Sequence, residues 1–185
     1  MPKLPESLCL PGDVVLLRDW ELEDEAALET ICGDPELMPF TSIPREFSAS
    51  AARAWIRLQR QRRTEGTTLS LAVESVADES AVGNVNLVRF SDDGREAAIG
   101  YWTIPRERQK GFATAAVREL SAWAFSEFGL HRIELSVAPH NHASIAVANA
   151  VGAREAGTRM VQPTGLKDPI EFLKFTLVAA DLAGG

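Results

Sequence analysis

The sequence has little from which a metal site or a disulfide framework could be built. Its 185 residues include only two cysteines, Cys9 and Cys32, with no Cys-x-x-Cys pair, and three histidines, His131, His140 and His142. Without clustered ligands, no bound metal is expected. Two isolated cysteines are typical of a protein from a reducing compartment, so a cytoplasmic location is expected.

The sequence also lacks a long apolar run and an excess of basic residues. No stretch approaches the length of a transmembrane helix, and the N-terminal segment MPKLPESLCLPG has no apolar centre of the kind found in secretory signals. With 19 Lys and Arg against 26 Asp and Glu, the formal net charge is −7. This charge disfavours a nucleic acid or an anionic membrane as partner, and it is compatible with a cationic substrate such as an amine.

Hydrophobic periodicity and turn residues predict alternating strands and helices over the whole chain. Strands are predicted at 14–18, 68–74, 81–90, 97–104, 131–137, 154–161 and 170–178, and helices at 23–32, 48–63, 143–150 and from the turn 108–114 to about 128. This order predicts one α+β domain over residues 1–185, with about four helices and a mixed, mostly antiparallel central sheet. The strand–helix–strand unit 97–137 should cross over right-handedly, so its strands are expected to form a parallel pair that splays at the ligand site.

The clearest local signal is the segment 108–114 (RQKGFAT), between an apolar strand and an apolar helix. The first backbone N–H groups of a helix lack partners within it, and the helix dipole adds partial positive charge there. Gly111 lacks the Cβ that would keep a phosphate from the backbone, and Arg108 and Lys110 add mobile positive charge. These features predict a diphosphate site. The alternative is an ordinary loop-to-helix junction with a solvated basic flank, because short glycine motifs often match by chance.

Four stretches carry a resemblance that spans nearly the whole chain in the right order. They are LLRDWELEDEAALETI, IGYWTIPRERQKGFATAAVRELSAWAF, GLHRIELSVAPHNHAS and ASIAVANAVGA. They resemble the GNAT superfamily of acyl-CoA-dependent N-acyltransferases, in the branch of the ribosomal-protein N-terminal serine acetyltransferases. Two positions depart from the family pattern. Gln109 stands where a glycine is common, and residues 149–153 (NAVGA) replace the usual Glu-Lys-x-Gly-Phe.

The resemblance assigns a cofactor role to two parts of the chain. The coenzyme A pyrophosphate would rest on the turn formed by Arg108, Gln109, Lys110, Gly111, Phe112, Ala113 and Thr114. The pantetheine arm would pair with the strand end at Trp102, Thr103 and Ile104, where a backbone N–H polarises the thioester carbonyl. Asn141 would hold the arm, and Ser144, one helical turn later, would donate a proton to the leaving thiolate. The alternative role for Ser144 is to cap the helix N-terminus.

The general base is left open between two residues of the strand 131–137. Related N-terminal acetyltransferases carry a glutamate on this strand. Counting back from Asn141 puts that position at Ser136, with Glu134 one pleat further away. Glu134 therefore either acts through a water molecule or forms an ion pair with Arg132 or another basic neighbour. Both Ser136 and Glu134 are retained as candidate catalytic residues.

The resemblance implies direct attack of a primary amine on acetyl-CoA. The acceptor is a protein N-terminus, a lysine or a small-molecule amine, and Asn86 and Arg89 on the strand 81–90 are expected to line its slot. One alternative transfers succinyl or another acyl group, whose carboxylate would need a cation such as Arg89. Another is a non-catalytic acyl-CoA-binding regulatory module. A homodimer is compatible with the family.

Overall fold

The computed structural model describes residues 3–35, 37, 41–162 and 167–182. Its centre is an eight-stranded sheet in the order β1-β2-β3-β4-β5-β6-β8-β7. The strands are β1 Leu10–Pro11, β2 Val15–Arg18, β3 Thr68–Ser75, β4 Ser80–Val88, β5 Glu96–Thr103, β6 Arg132–Val137, β7 Arg154–Val161 and β8 Ile170–Leu177. The helices are α1 Glu25–Ile31, α2 Ala49–Thr64, α3 Phe112–Ser126, α4 His142–Ala150 and α5 Ala179–Leu182. Among the described residues, no helix is both long enough and apolar enough to cross a membrane.

The sheet is antiparallel except where β5 and β6 lie side by side and run parallel. Helix α3 connects these two strands. The architecture confirms the predicted α+β class with one parallel strand pair. The sequence did not predict β1, because two residues ending in a proline show no alternation. It also did not predict α5.

Each face of the sheet is covered by its own helices. On one face, α3 and α4 pack against strand residues that include Leu87, Ile133 and Leu135. On the other face, α1 and α2 cover a core that includes Trp20 and Ile56. Full burial of a leucine or isoleucine side chain contributes about 2 kcal/mol, so these two layers fix the sheet from both sides.

Helix α2 is anchored at its start and along its side. The Oγ of Ser48 accepts a 3.1 Å hydrogen bond from the backbone nitrogen of Ala51, so Ser48 caps the helix at the start that the sequence predicted. Further along the helix, a guanidinium nitrogen of Arg60 donates a 3.0 Å hydrogen bond to the backbone oxygen of Trp20. These contacts hold α2 over the face of the sheet that forms the cleft described below.

Candidate active site

The parallel strands β5 and β6 separate toward their C-terminal ends. Their register contains three residue pairs, the last of them Ala98 with Glu134. Beyond this pair, β5 stays paired with β4, and β6 stays paired with β8. Residues 99–103 and 135–137 therefore border a V-shaped gap inside the sheet, as the splayed pair in the sequence-based prediction requires.

Only alternate residues of β5 direct their backbone groups into this gap. The backbone nitrogen of Ile104 donates a 2.9 Å hydrogen bond to Val82 on the β4 side. In the regular antiparallel ladder, the backbone groups of Trp102 then also face β4, whereas those of Tyr101 and Thr103 face the gap. Of the three residues predicted to pair with pantetheine, Thr103 is thus the one whose backbone lies on the open edge.

The turn before α3 has the backbone geometry of an anion site. Gln109 and Gly111 both adopt left-handed conformations, with φ of 63° and 87°. Within the described ranges, the backbone N–H groups of residues 109–114 have no acceptor, and no side chain caps the helix. Successive N–H groups around left-handed residues form a concave nest for anions. A Cβ at Gly111 would meet nothing within 4 Å, so the space in front of the turn is open to a phosphate.

The charged side chains of this turn are already engaged. Arg108 lies 2.5 Å from a carboxylate oxygen of Asp34, and its Nε donates a 3.3 Å hydrogen bond to the backbone oxygen of Thr103. Lys110 forms a 2.8 Å ion pair with Glu107. The expectation of mobile positive charge is therefore wrong for Arg108, whose side chain ties the turn to β5 and to the segment after α1.

At the start of α4, the residue that caps the helix is Asn141 and not Ser144. The Oδ1 of Asn141 accepts a 3.0 Å hydrogen bond from the backbone nitrogen of Ser144, so Asn141 is the cap. The hydroxyl of Tyr101 donates a 3.3 Å hydrogen bond to the backbone oxygen of Ser144 and bridges the gap between β5 and α4. Burial raises the pKa of Tyr101 to about 12, against the opposing effect of this hydrogen bond, so the phenol stays protonated at neutral pH.

A cleft of about 370 Å³ opens between the splayed strands and α2. It brings together six of the predicted site residues, which are Asn86, Arg89, Trp102, Ser136, Asn141 and Ser144. It is also lined by Asn84 and Tyr101, which the sequence reasoning missed. The signal for Asn84 was available, because strand alternation puts it on the same face as Asn86. Among the described residues, Thr103, Ile104, Glu134 and the turn 108–114 do not line this cleft.

The buried carboxamide of Asn84 is fixed by two donors. Its Oδ1 accepts hydrogen bonds from the Nε1 of Trp20 at 3.0 Å and from the Oγ of Ser70 at 2.7 Å. Because an indole nitrogen can only donate, the oxygen of the carboxamide must face Trp20. The orientation of Asn84 is therefore set by the protein itself.

The neighbouring Asn86 is different, because its Oδ1 is buried without a hydrogen-bond donor among the described residues. The side chain lies over Gly100 of β5, and a Cβ at Gly100 would be only 2.7 Å from this oxygen. The glycine thus leaves the space that Asn86 occupies. A buried carbonyl oxygen without a donor costs roughly 1–3 kcal/mol, so this position is suited to a ligand that brings an N–H group.

Glu134 lies beside the cleft in a cluster of cations. Its carboxylate is 2.5 Å from Arg159, 3.0 Å from Lys174 and 3.8 Å from Arg89. Of the ion-pair partners considered from the sequence, Arg132 pairs with Glu96, so the partners of Glu134 are other basic neighbours. Burial would raise the pKa of Glu134, but the hydrogen bonds and charges of Lys174 and Arg159 outweigh it, and the pKa falls below its usual value.

The charge inside the cleft has the opposite sign to that of the whole chain. Among the described lining residues, the formally charged side chains are those of Arg62 and Arg89, and no carboxylate is present. Burial lowers the pKa of Arg89, and the charge of Arg159 adds to this effect against the attraction of Glu134. The net charge of −7 is therefore not a guide to the substrate, because the acidic residues lie elsewhere.

The comparisons with known proteins place this chain among the acyl-CoA-dependent transferases. Residues 15–154 match the family described as "Acetyltransferase (GNAT) domain", and the chain belongs to that family. It is similar to "Uncharacterized N-acetyltransferase p20" of Bacillus licheniformis, with 27% identity over 168 residues that cover 91% of this chain and 94% of that protein.

Two solved structures show how far the likeness extends. Mycobacterium smegmatis RimJ in complex with CoA-disulfide is 28% identical with a TM-score of 0.79, and the match covers 95% of this chain and 87% of that one. The ribosomal-protein-S5-alanine acetyltransferase from Vibrio fischeri is 16% identical with a TM-score of 0.76, covering 95% and 98% of the two chains. The second likeness shows the fold alone.

Family membership confirms the expected class of enzyme. The protein is an acyl-CoA-dependent N-acyltransferase of the GNAT acetyltransferase family, with an acyl-CoA as its co-substrate. The alternative of a non-catalytic binding module is therefore set aside. Within the part of the chain that the structure describes, no three potential metal ligands lie together.

Proposed function

We propose that this protein transfers an acetyl group from acetyl-CoA to the α-amine at the N-terminus of a protein or peptide. The observation that carries the choice of acceptor is the absence of a carboxylate among the described residues that line the cleft. An α-amine, with a pKa near 8, is roughly one-quarter neutral at pH 7.5, whereas only about one lysine in a thousand is neutral. A cleft without a carboxylate base is therefore better matched to an α-amine.

The acyl-CoA would lie between the anion-binding turn and the gap in the sheet. Backbone N–H groups of Gln109, Gly111 and the first turn of α3 would hold the pyrophosphate. The backbone edge at Tyr101 and Thr103 would pair with the pantetheine arm, and an N–H on this edge would polarise the thioester carbonyl. The fit of these groups to coenzyme A rests on their free donors and on the open space at Gly111.

The acceptor would reach the thioester from the side of α2. The Oδ1 of Asn86 would accept a hydrogen bond from the amine, whose nitrogen attacks the carbonyl carbon. The carbon–sulfur bond breaks, and the hydroxyl of Ser144 would give its proton to the thiolate. Ser144 would then be reprotonated with the proton that the new amide releases. Tyr101 would keep its proton and hold the backbone of Ser144 in place.

Glu134 would balance the charge of the neighbouring cations and would not be the general base. Lys174 and Arg159 hold it as a carboxylate with a lowered pKa, against the opposing effect of burial, so it is a poor acceptor of the proton from an amine. Ser136 lines the cleft, and its Oγ donates a weak 3.4 Å hydrogen bond to Glu134. Ser136 would thus link the cleft to Glu134 and to the cations around it.

The name of one structural neighbour agrees with an acceptor of this kind. The S5-alanine acetyltransferase, which shares the fold, carries a name that refers to a ribosomal protein. We also propose that residues 1–185 form one domain. The free thiols of Cys9 and Cys32 support a location in the reducing cytoplasm, and a homodimer is compatible with the family.

The test uses two peptides of the same sequence that contain one internal lysine. One has a free N-terminus, and the other is formylated there. Free thiol release and mass spectrometry would show acetylation of the first peptide at its α-amine and no reaction of the second. The value of kcat/KM should rise with pH up to the pKa of the α-amine. Equal acetylation of the formylated peptide at its lysine would overturn the proposal.

A further inference from the structure

The cleft wall is a cationic surface on an acidic protein. Its two formally charged side chains among the described residues are Arg62, from α2, and Arg89, from the end of β4. The rest of the described lining is neutral, whereas the whole chain carries a net charge of −7. This local excess of positive charge disfavours polyamines and lysine-rich acceptors, because like charges repel most strongly in a partly desolvated site.

Arg89 belongs to a cluster in which cations outnumber anions. Arg159 and Lys174 contact Glu134 at 2.5 Å and 3.0 Å, whereas Arg89 is 3.8 Å away. The carboxylate of Glu134 is thus largely engaged by the two nearer cations. The side chain of Arg89 has no hydrogen bond to any residue in the described part of the chain, and its contact with Glu134 is an ion pair at 3.8 Å. Its five N–H donors are available to a second anion.

The backbone holds Arg89 at the cleft. It adopts φ of 52°, a left-handed conformation that is uncommon for a residue other than glycine. This conformation ends the regular alternation of β4 and brings the side chain to the cleft wall beside Glu134. Opposite it, a guanidinium nitrogen of Arg62 donates a 3.3 Å hydrogen bond to Ser42, another lining residue. Guanidinium groups suit carboxylates because their planar donors can bind both oxygens.

We propose that Arg89, with Arg62 on the opposite wall, binds a carboxylate carried by the substrate, so that the preferred acceptor is an α-amine followed by an acidic residue. This inference rests on the proposed acetylation of an α-amine. The same carboxylate chemistry has a second source, the acyl group of succinyl-CoA. The experiment therefore compares both sources.

The main comparison uses two short peptides with free N-termini and amidated C-termini. They differ only in having aspartate or asparagine at the second position. Two quantities are measured for each, kcat/KM with acetyl-CoA and the affinity for protein saturated with coenzyme A. We expect the wild type to prefer the aspartate peptide about tenfold in both. The preference should fall close to one in Arg89→Gln, and partly in Arg62→Gln.

Arg57→Gln is the matched control. Arg57 is an exposed arginine of α2 that does not line the cleft, so its loss changes the net charge equally and should keep the wild-type ratio. Raising the ionic strength should reduce the ratio in the wild type. Equal kcat/KM and equal affinity for both peptides in the wild type would overturn the proposal, provided succinyl-CoA shows no advantage either. A preference that survives in Arg89→Gln would also overturn it.

The remaining measurements distinguish a failure of this proposal from a failure of the proposed function. If neither peptide is acetylated, the choice of acceptor chemistry is wrong. Tighter binding of the aspartate peptide that is lost in Arg89→Gln would still support the carboxylate site. With the asparagine peptide, succinyl-CoA is compared with acetyl-CoA. A preference for succinyl-CoA that requires Arg89 would support the site and assign its carboxylate to the acyl group.

Discussion

The backbone nitrogen of Ser144 donates a 3.0 Å hydrogen bond to the side-chain oxygen of Asn141. Capping of α4 is therefore the work of Asn141, and the hydroxyl of Ser144 is left for another role in the cleft. The two candidate roles of Ser144, capping and proton donation, make different predictions for the same pair of variants.

Ser144→Ala is expected to lower kcat about 100-fold with little change in thermal stability, because it removes a proton donor but no cap. Asn141→Ala should destabilise the protein by about 1 kcal/mol, since it removes the acceptor for an N-terminal N–H of α4. Steady-state kinetics and thermal unfolding of both variants check this. A loss of stability in Ser144→Ala with unchanged kcat would show that its role is structural.

Gly111→Glu should abolish binding of coenzyme A. The new side chain would occupy the open space in front of the turn and would repel the phosphates. Gly129→Glu is the matched control, because Gly129 has the similar φ of 84°, equally open space and a position at the far end of α3. Calorimetric titration with coenzyme A should therefore separate the two variants. Equal affinities would contradict the assignment of the turn.

Asn86→Ala and Asn84→Ala should have different effects on stability. Asn86→Ala removes a buried oxygen that has no donor, so stability should stay the same or rise, while kcat/KM for the acceptor falls about tenfold. Asn84→Ala leaves the donors of Trp20 and Ser70 unpaired and should cost about 2–3 kcal/mol. Urea unfolding and kinetics measure both. A clear loss of stability in Asn86→Ala would argue for a structural role.

Glu134 should contribute to the acid sensitivity of the fold. Its pKa is lowered in the folded state, so its stabilising contribution is present above the unfolded pKa of about 4.3 and is lost as the pH falls toward the folded value. The free energy of unfolding should therefore fall less steeply between pH 5 and pH 3 in Glu134→Gln than in the wild type, on the basis of this linkage. Glu127→Gln, at an exposed position, serves as control. Identical slopes for wild type and Glu134→Gln would contradict the prediction.

The sequence predicted the elements well, because strand alternation and helix caps are local signals. Ser48 was identified as a cap from its neighbours, and β6 from the alternation of Ile133, Leu135 and Val137. The extent of the gap between β5 and β6 was not predictable. It depends on pairing that ends after Ala98 and Glu134, which are 36 residues apart, and no local pattern records where such pairing stops.

The site was predicted less completely, because its partners come from distant segments. Arg108 was expected to be mobile, but its carboxylate partner Asp34 lies 74 positions away. For Glu134, the sequence left the ion-pair partner open between Arg132, on its own strand face, and another basic neighbour. The parallel register instead brings Arg132 to Glu96, and the antiparallel neighbours supply the cations around Glu134.

Three of the four tryptophans meet at the floor of the cleft. The ring of Trp20 lies 5.3 Å from that of Trp55 and 5.9 Å from that of Trp102, and both of these partners line the cleft. The fourth, Trp123, stacks on Phe128 on the α3 side of the sheet. Arrival of an acceptor would change the surroundings of the first three indoles and leave those of Trp123 as they are. Occupancy of the cleft can therefore be followed by intrinsic fluorescence, on unlabelled protein and in real time.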